Sequence, residues 1–74
     1  PGQFVDYSCE GGKRMSARAA GDASTVRVRF EGGYELDRKS AGVYEADGWR
    51  LTGQGGTLDL AHNGKVVAKG CKPA

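Results

Sequence analysis

The amino-acid sequence predicts an all-β fold class, a small antiparallel eight-stranded β-barrel. Three observations predict it: apolar and polar residues alternate with a period of two, turn residues recur about every eight to ten positions, and one cysteine lies near each end of the chain. Alternation with this period is typical of strands that bury one face. The chain has 74 residues, so we expect a single domain over residues 1–74. A domain of this size buries only about 60% of the surface of its unfolded chain.

The predicted strands cover residues 4–9, 15–19, 25–31, 34–36, 43–45, 49–51, 57–61 and 65–69. The third shows the pattern most clearly, because Val26, Val28 and Phe30 fall on one face. Arg27 and Arg29 fall on the other face. We therefore expect the first set of side chains in the core and the second in solvent.

Dipeptides that favour positive φ separate the later strands. Gly32-Gly33, Asp47-Gly48 and Asn63-Gly64 each lie between two alternating runs, and Asn-Gly is the strongest short-range hairpin signal. Gly11-Gly12 separates the first two strands in the same way. Residues 17–23 contain Gly21 and Asp22, which favours a loop over a helix. We expect the tail, residues 72–74, to be frayed.

The two cysteines predict how the barrel closes. A disulfide between Cys9 and Cys71 would tie the first strand to the last and remove the exposed edges of the sheet. Closing so long a loop stabilises a fold by about 4 kcal/mol in the chain-entropy model. Two separate buried thiols are the alternative. A disulfide implies an oxidising compartment, such as the periplasm or the cell exterior.

Composition argues against several classes of function. Eleven Lys and Arg against nine Asp and Glu give a net charge of +2, too evenly mixed for a nucleic-acid footprint. The aromatic residue next to Arg29, Phe30, faces away from it. The longest apolar run is far shorter than a membrane span. The one histidine, His62, cannot complete a zinc site, so we expect no metal and no cofactor.

Residues suited to catalysis are few, so we expect a protein that is not an enzyme. His62, the one candidate base, adjoins a turn and is expected to lie in solvent. Glu45 and Asp47 form the closest carboxylate pair, but on a strand entering a turn they too are expected to face solvent. A barrel of eight strands fills its interior with its own side chains, which leaves little room for a substrate cleft.

Several short motifs, taken in order along nearly the whole chain, resemble the bacterial inhibitors of c-type lysozyme, the MliC/PliC family of Gram-negative envelopes. The motifs are the segment at 7–12 (YSCEGG), the strand at 26–30 (VRVRF), the segment at 40–44 (SAGVY), the turn at 47–49 (DGW), the loop at 53–55 (GQG), the strand at 58–60 (LDL) and the turn at 63–65 (NGK) before Cys71. The third is similar to the family's Ser-Gly-x-x-Tyr motif, with Ala41 in place of the first glycine.

The resemblance implies an inhibitor that inserts a loop into the active-site cleft of c-type lysozyme. The loop would comprise Ser40, Ala41 and Gly42, with the Ser40 hydroxyl meeting one catalytic carboxyl group. Tyr44 would support the loop as part of the scaffold. A family lysine on the neighbouring loop meets the other carboxylate, and here Gln54 occupies that position.

Gln54 brings a hydrogen-bond donor but no charge. The loss of charge assistance would cost on the order of 1 kcal/mol at an interface. Inhibition could then be weaker, directed at a different lysozyme, or supported by a nearby cation such as Lys39 or Arg50. Glu35, Asp37, Glu45 and Asp47 are expected to supply local attraction to a basic lysozyme.

The resemblance also implies a location and leaves a second function open. The location is the periplasm or the outer membrane of a Gram-negative bacterium, with membrane attachment only if a lipid anchor precedes residue 1. No nucleic-acid partner is expected. The alternative function is a non-inhibitory envelope binding or assembly module on the same barrel.

Overall fold

The computed structural model describes residues 3–74, and these form the predicted closed barrel of eight antiparallel strands. The strands are β1 (Val5–Ser8), β2 (Arg14–Ala19), β3 (Thr25–Arg29), β4 (Gly33–Ser40), β5 (Val43–Ala46), β6 (Trp49–Gln54), β7 (Thr57–His62) and β8 (Lys65–Pro73). Each strand pairs with its neighbours in chain order, and β1 pairs with β8. A turn of 3₁₀ helix, Glu10–Gly12, joins β1 to β2.

The interior is filled by the inward positions of alternating strands, as the period of two predicts. Val28 and Leu60 are completely buried, and Leu36 is nearly so. Val26 and Phe30 lie with them in the core, so the predicted inward face of β3 is confirmed. Because most of the core side chains project from strands, barrel closure and core formation depend on the same registers.

The seam between β1 and β8 is short and is reinforced by the predicted disulfide. Among residues 3–74, two pairs of residues are in register there, Tyr7 with Pro73 and Ser8 with Lys72. Cys9, directly after β1, is bonded to Cys71 of β8, and the two are 62 residues apart in sequence. The bond thus holds together the part of the barrel with the fewest strand pairings.

The predicted fraying of the tail is wrong. Strand β8 continues to Pro73, four residues beyond its predicted end. The backbone N–H of Ala74 then donates a 2.9 Å hydrogen bond to the carbonyl oxygen of Asp6. The tail is ordered because closing the barrel requires these residues as the partner of β1.

Three stacked rings fill one end of the barrel. Trp49 lies between Tyr34 and His62, with ring centroids separated by 4.1 and 4.0 Å respectively. His62 is half-buried, so the expectation that it lies in solvent is wrong. It occupies an inward position two residues after Leu60, which places its ring against Trp49 rather than outside the wall.

Antiparallel strands in chain order place alternate connections at opposite ends of the barrel. Residues 20–24, 41–42 and 55–56 lie at one end, which we call the loop end. The 3₁₀ turn and residues 30–32, 47–48 and 63–64 lie at the other, with the ring stack. In residues 3–74 no helix is long and apolar enough to cross a membrane.

Candidate functional site

The motif serine lies at the tip of a tight hairpin at the loop end. Strand β4 ends at Ser40 and β5 begins at Val43, so Ala41 and Gly42 form a two-residue turn. The register of the two strands shifts between Arg38 and Ser40. A bulge of this kind changes the direction of the side chains that follow it. Both Ser40 and Ala41 are exposed to solvent.

The second motif residue lies on the adjacent hairpin. Val43 of β5 pairs with Thr52 of β6, and the backbone N–H of Gly53 donates a 2.8 Å hydrogen bond to the carbonyl oxygen of Gly42. This register places the β4–β5 turn beside the exposed Gln54. The two positions predicted to contact a partner therefore lie on neighbouring hairpins at the same end of the barrel, although Ser40 and Gln54 are fourteen positions apart in the sequence.

The end of β6 is held by a side chain of its own hairpin. The Thr57 hydroxyl donates a 3.0 Å hydrogen bond to the carbonyl oxygen of Gln54 across the Gly55-Gly56 turn. This contact fixes the backbone at Gln54 and leaves its side chain in solvent. The side-chain amide of Gln54 thus projects into solvent from a hairpin whose backbone is held in place.

Gly42 permits the close approach of the two hairpins. Its φ is +74°, a conformation that residues with a Cβ adopt only with strain. A Cβ at this position would lie 2.8 Å from the carbonyl oxygen of Gly53. Glycine is therefore required both by the turn and by the neighbouring strand.

The β2–β3 loop forms a third side of the candidate site. The backbone N–H of Arg38 donates a 2.9 Å hydrogen bond to the carbonyl oxygen of Ser24, which ties this loop to β4. Asp22, Ser24, Arg38 and Lys39 surround a shallow depression beside Ser40. A carboxylate and two cations therefore lie close to the motif hydroxyl.

Asp22 is organised by the serine two positions later. Its Oδ1 accepts hydrogen bonds from the backbone N–H of Ser24 at 3.0 Å and from the Ser24 hydroxyl at 2.7 Å. The backbone bond, followed by the hydroxyl bond, lowers the pKa of Asp22 below its ordinary value. This pair was not among the predicted site residues, although an Asp-x-Ser spacing is typical of such turns.

Tyr44 faces the interior beneath the hairpins. It pairs with the buried Leu51, and its side chain is half-buried. Together with Leu51 and Leu58 it lines a largely apolar depression that is open to solvent at the loop end. This position suits the scaffold role that the resemblance implies for Tyr44.

Of the predicted supporting residues, only Lys39 adjoins Ser40. Arg50 is paired with Glu45, their Nε and Oε2 atoms 3.1 Å apart on the outer wall. Arg50 precedes Gln54 by four residues of the same strand, a distance of about 13 Å. Asp47 lies in the β5–β6 turn at the opposite end of the barrel.

Three of the predicted acids, Asp37, Glu45 and Asp47, line one open depression on the outer wall together with Lys39 and Arg50. Asp37 is the register partner of Glu45, and the Glu35 carboxylate lies 3.5 Å from Arg27. None of the four acids expected to attract a lysozyme is in the turn that carries Ser40. Within residues 3–74 no group of three or more His, Cys, Asp or Glu side chains is arranged to hold a metal ion.

The outer wall of β2 and β3 carries a contact that the sequence did not predict. The Arg29 guanidinium lies 3.6 Å from the centroid of the Phe4 ring, and that of Arg18 lies 5.0 Å from it. Phe30 is buried as expected, but Phe4 supplies an aromatic residue to the arginine face from a different segment. No local pattern in the sequence carries this contact, because Phe4 precedes β1.

Comparisons of the chain with protein-family models, with curated proteins and with solved structures found no match.

Proposed function

We propose that this protein is a stoichiometric inhibitor of c-type lysozyme that inserts its β4–β5 hairpin into the enzyme's active-site cleft. The proposal extends the resemblance of the motifs described above. One observation carries it: the Gly53–Gly42 hydrogen bond joins the hairpin of Ser40 to that of Gln54 on one exposed surface. An inhibitor of this kind needs both side chains to reach the two catalytic carboxyl groups at once.

The chemistry of the two side chains fits two carboxyl groups in different protonation states. A glycosidase of this type keeps one carboxylic acid protonated and the other ionised. The Ser40 hydroxyl can accept a hydrogen bond from the first, and the Gln54 amide can donate one to the second. Because Gln54 is neutral, the second contact lacks charge assistance.

Lys39 is our candidate for the missing positive charge. It directly precedes Ser40 and is exposed on the same surface. Arg50, the other cation considered, is engaged by Glu45 and lies closer to the far end of β6. We infer that Lys39 approaches the ionised carboxylate from one side while Gln54 approaches it from the other.

The proposed setting is the envelope of a Gram-negative bacterium, where the inhibitor would protect the cell wall. The disulfide is compatible with such an oxidising compartment. The protein would act by binding at a fixed molar ratio rather than by turnover.

The test is a cell-wall lysis assay in which several c-type lysozymes are titrated with the protein. We expect lysis to fall to near zero at one equivalent. Ser40→Ala should weaken inhibition at least tenfold, because it leaves a buried carboxyl group of the enzyme without its partner. Gln54→Lys should strengthen inhibition by roughly fivefold through charge assistance.

Ser8→Ala is the matched control, since Ser8 is exposed on β1 and remote from both hairpins. It should inhibit like the wild type. If the wild type leaves every lysozyme active, or if Ser40→Ala and Ser8→Ala inhibit equally well, the insertion mechanism is wrong. A non-inhibitory envelope module would then be the better interpretation of this barrel.

A further inference from the structure

The outer surface of β2 and β3 carries four arginines and no acidic residue. Outward positions on these strands alternate with the buried Met15, Ala17, Val26 and Val28. Arg14, Arg18, Arg27 and Arg29 are all exposed, and we call them the arginine face. They are four of the six arginines in the chain, so the basic residues are concentrated on this face although the net charge is only +2.

The arrangement of these arginines lowers the stability of the folded barrel. Arg18 on β2 lies directly opposite Arg27 on β3, and like charges in that position destabilise a sheet. Arg29 is two residues from Arg27 on the same strand, a separation of about 7 Å. Glu35 offsets Arg27 at 3.5 Å in a largely exposed pair, and Glu31 lines a depression together with Arg14, Arg27 and Arg29. Such a conflict with local stability is typical of a surface kept for binding.

Phe4 orients part of the arginine face. Its ring is covered by the Arg29 guanidinium at 3.6 Å and approached by that of Arg18 at 5.0 Å. Stacking of this kind restricts the side chains while leaving their N–H groups available to an anion. The same contact occupies the ring, so Phe4 is a poor platform for stacking a nucleic-acid base.

We propose that the arginine face docks the protein on an anionic lipid surface by binding the phosphate groups of lipid head groups. Guanidinium groups match phosphate oxygens in geometry and charge. The face is the convex outside of a narrow barrel, whereas proteins that bind single-stranded nucleic acid track the strand in a groove. The head groups of a lipid surface form an extended layer of phosphates, so several arginines on the outer wall can bind phosphate groups at the same time.

The proposal does not rest on lysozyme inhibition, but it is compatible with it. In the closed strand order, β6 and β7 lie diametrically opposite β2 and β3. A barrel resting on its arginine face would therefore present the wall of β6 and β7, with Gln54 at one end, away from the lipid. The two activities use different residues, so either can fail without the other.

The test is co-sedimentation of the full chain with vesicles of phosphatidylcholine alone or with about 30% phosphatidylglycerol. We expect binding only to the anionic vesicles, and we expect it to weaken strongly at about 0.3 M salt. Arg14→Gln/Arg18→Gln should weaken this binding roughly 30-fold, as two charges are lost near the surface. This variant keeps the Arg27–Glu35 and Arg29–Phe4 contacts.

The matched control is Lys65→Gln/Lys69→Gln, which removes the same charge from exposed positions on β8. It should bind nearly as well as the wild type. The arginine variant should also unfold at no lower urea concentration, because it relieves the Arg18–Arg27 repulsion. Equal losses in the two double variants would attribute binding to net charge and overturn the proposal. Failure to bind anionic vesicles, with or without binding of a single-stranded oligonucleotide, would overturn it as well.

Discussion

The backbone N–H of Gly53 donates a 2.8 Å hydrogen bond to the carbonyl oxygen of Gly42, and this bond joins the two hairpins at the loop end. Neither residue contributes a functional group of its own. Their closeness nevertheless determines the distance between Ser40 and Gln54, the two side chains proposed to contact the partner. The geometry of the candidate site thus depends on the absence of a side chain at position 42.

Gly42→Ala is expected to destabilise the protein by roughly 3 kcal/mol. Left-handed backbone costs a non-glycine residue about 1 to 2 kcal/mol, and the new Cβ would also press on the Gly53 carbonyl oxygen. Urea unfolding followed by far-UV circular dichroism measures the difference. The same variant should inhibit lysozyme poorly, because the hairpins must separate.

Gly55→Ala measures the cost of backbone strain without the clash that Gly42→Ala would create between its Cβ and the Gly53 carbonyl oxygen. Its φ is +63°, similar to that of Gly42, but a Cβ there would meet nothing within 4 Å. We expect a loss of about 1 kcal/mol from strain alone. Equal losses for the two variants would show that the close approach of the hairpins contributes nothing to stability.

The sequence was sufficient to predict the strands and turns because these depend on neighbouring residues. Alternation in β3 and dipeptides such as Asn63-Gly64 act locally, and both were confirmed. The extents of the longer strands could not be predicted: Arg38 and Lys72 are polar, and only pairing with a neighbour places them in β4 and β8. The placement of Ser40 and Gln54 on neighbouring hairpins, and the contact of Phe4 with Arg29, likewise depend on register between distant segments.

Reduction of the disulfide is expected to lower the free energy of unfolding by about 4 kcal/mol. The bond closes a loop of 62 residues, and the chain-entropy model assigns that value to a loop of this length. Urea unfolding with and without a reductant tests this, with Cys9→Ala/Cys71→Ala as the variant that cannot re-oxidise. An unchanged midpoint would mean that strand pairing at the β1–β8 seam suffices to close the barrel.

Trp49→Ala is expected to destabilise the barrel by about 3 kcal/mol, as it removes the central ring of a stack of three. Tyr34 and His62 would lose their shared neighbour and admit water at that end. Far-UV circular dichroism during urea unfolding is the appropriate measurement, because the variant lacks the one tryptophan. Val66→Ala, at an exposed position on β8, should change stability by less than about 0.5 kcal/mol. Similar losses for both variants would contradict a structural role for the stack.

The lowered pKa of Asp22 predicts a small acid sensitivity of the β2–β3 loop. A carboxyl group whose pKa is depressed in the folded state stabilises that state above its unfolded pKa of about 4, and the stabilisation is lost as pH falls through the folded value. Ser24→Ala removes the hydroxyl donor but keeps the backbone N–H, the larger cause. We therefore expect the Asp22 pKa to rise part of the way to its ordinary value, as measured by NMR titration of its side-chain carbon. An unmoved midpoint would show that the hydroxyl bond does not persist in solution.

Exchange of Lys39 for glutamine tests which cation assists Gln54. If Lys39 supplies the missing charge, Lys39→Gln should weaken lysozyme inhibition by roughly fivefold, about 1 kcal/mol. Arg50→Gln removes an equal charge that is engaged by Glu45 and should leave inhibition unchanged. Adding Gln54→Lys to Lys39→Gln should restore the lost affinity, because either lysine can then meet the same carboxylate. Independent, additive effects of the two substitutions would instead mean that Lys39 and Gln54 contact different groups of the enzyme.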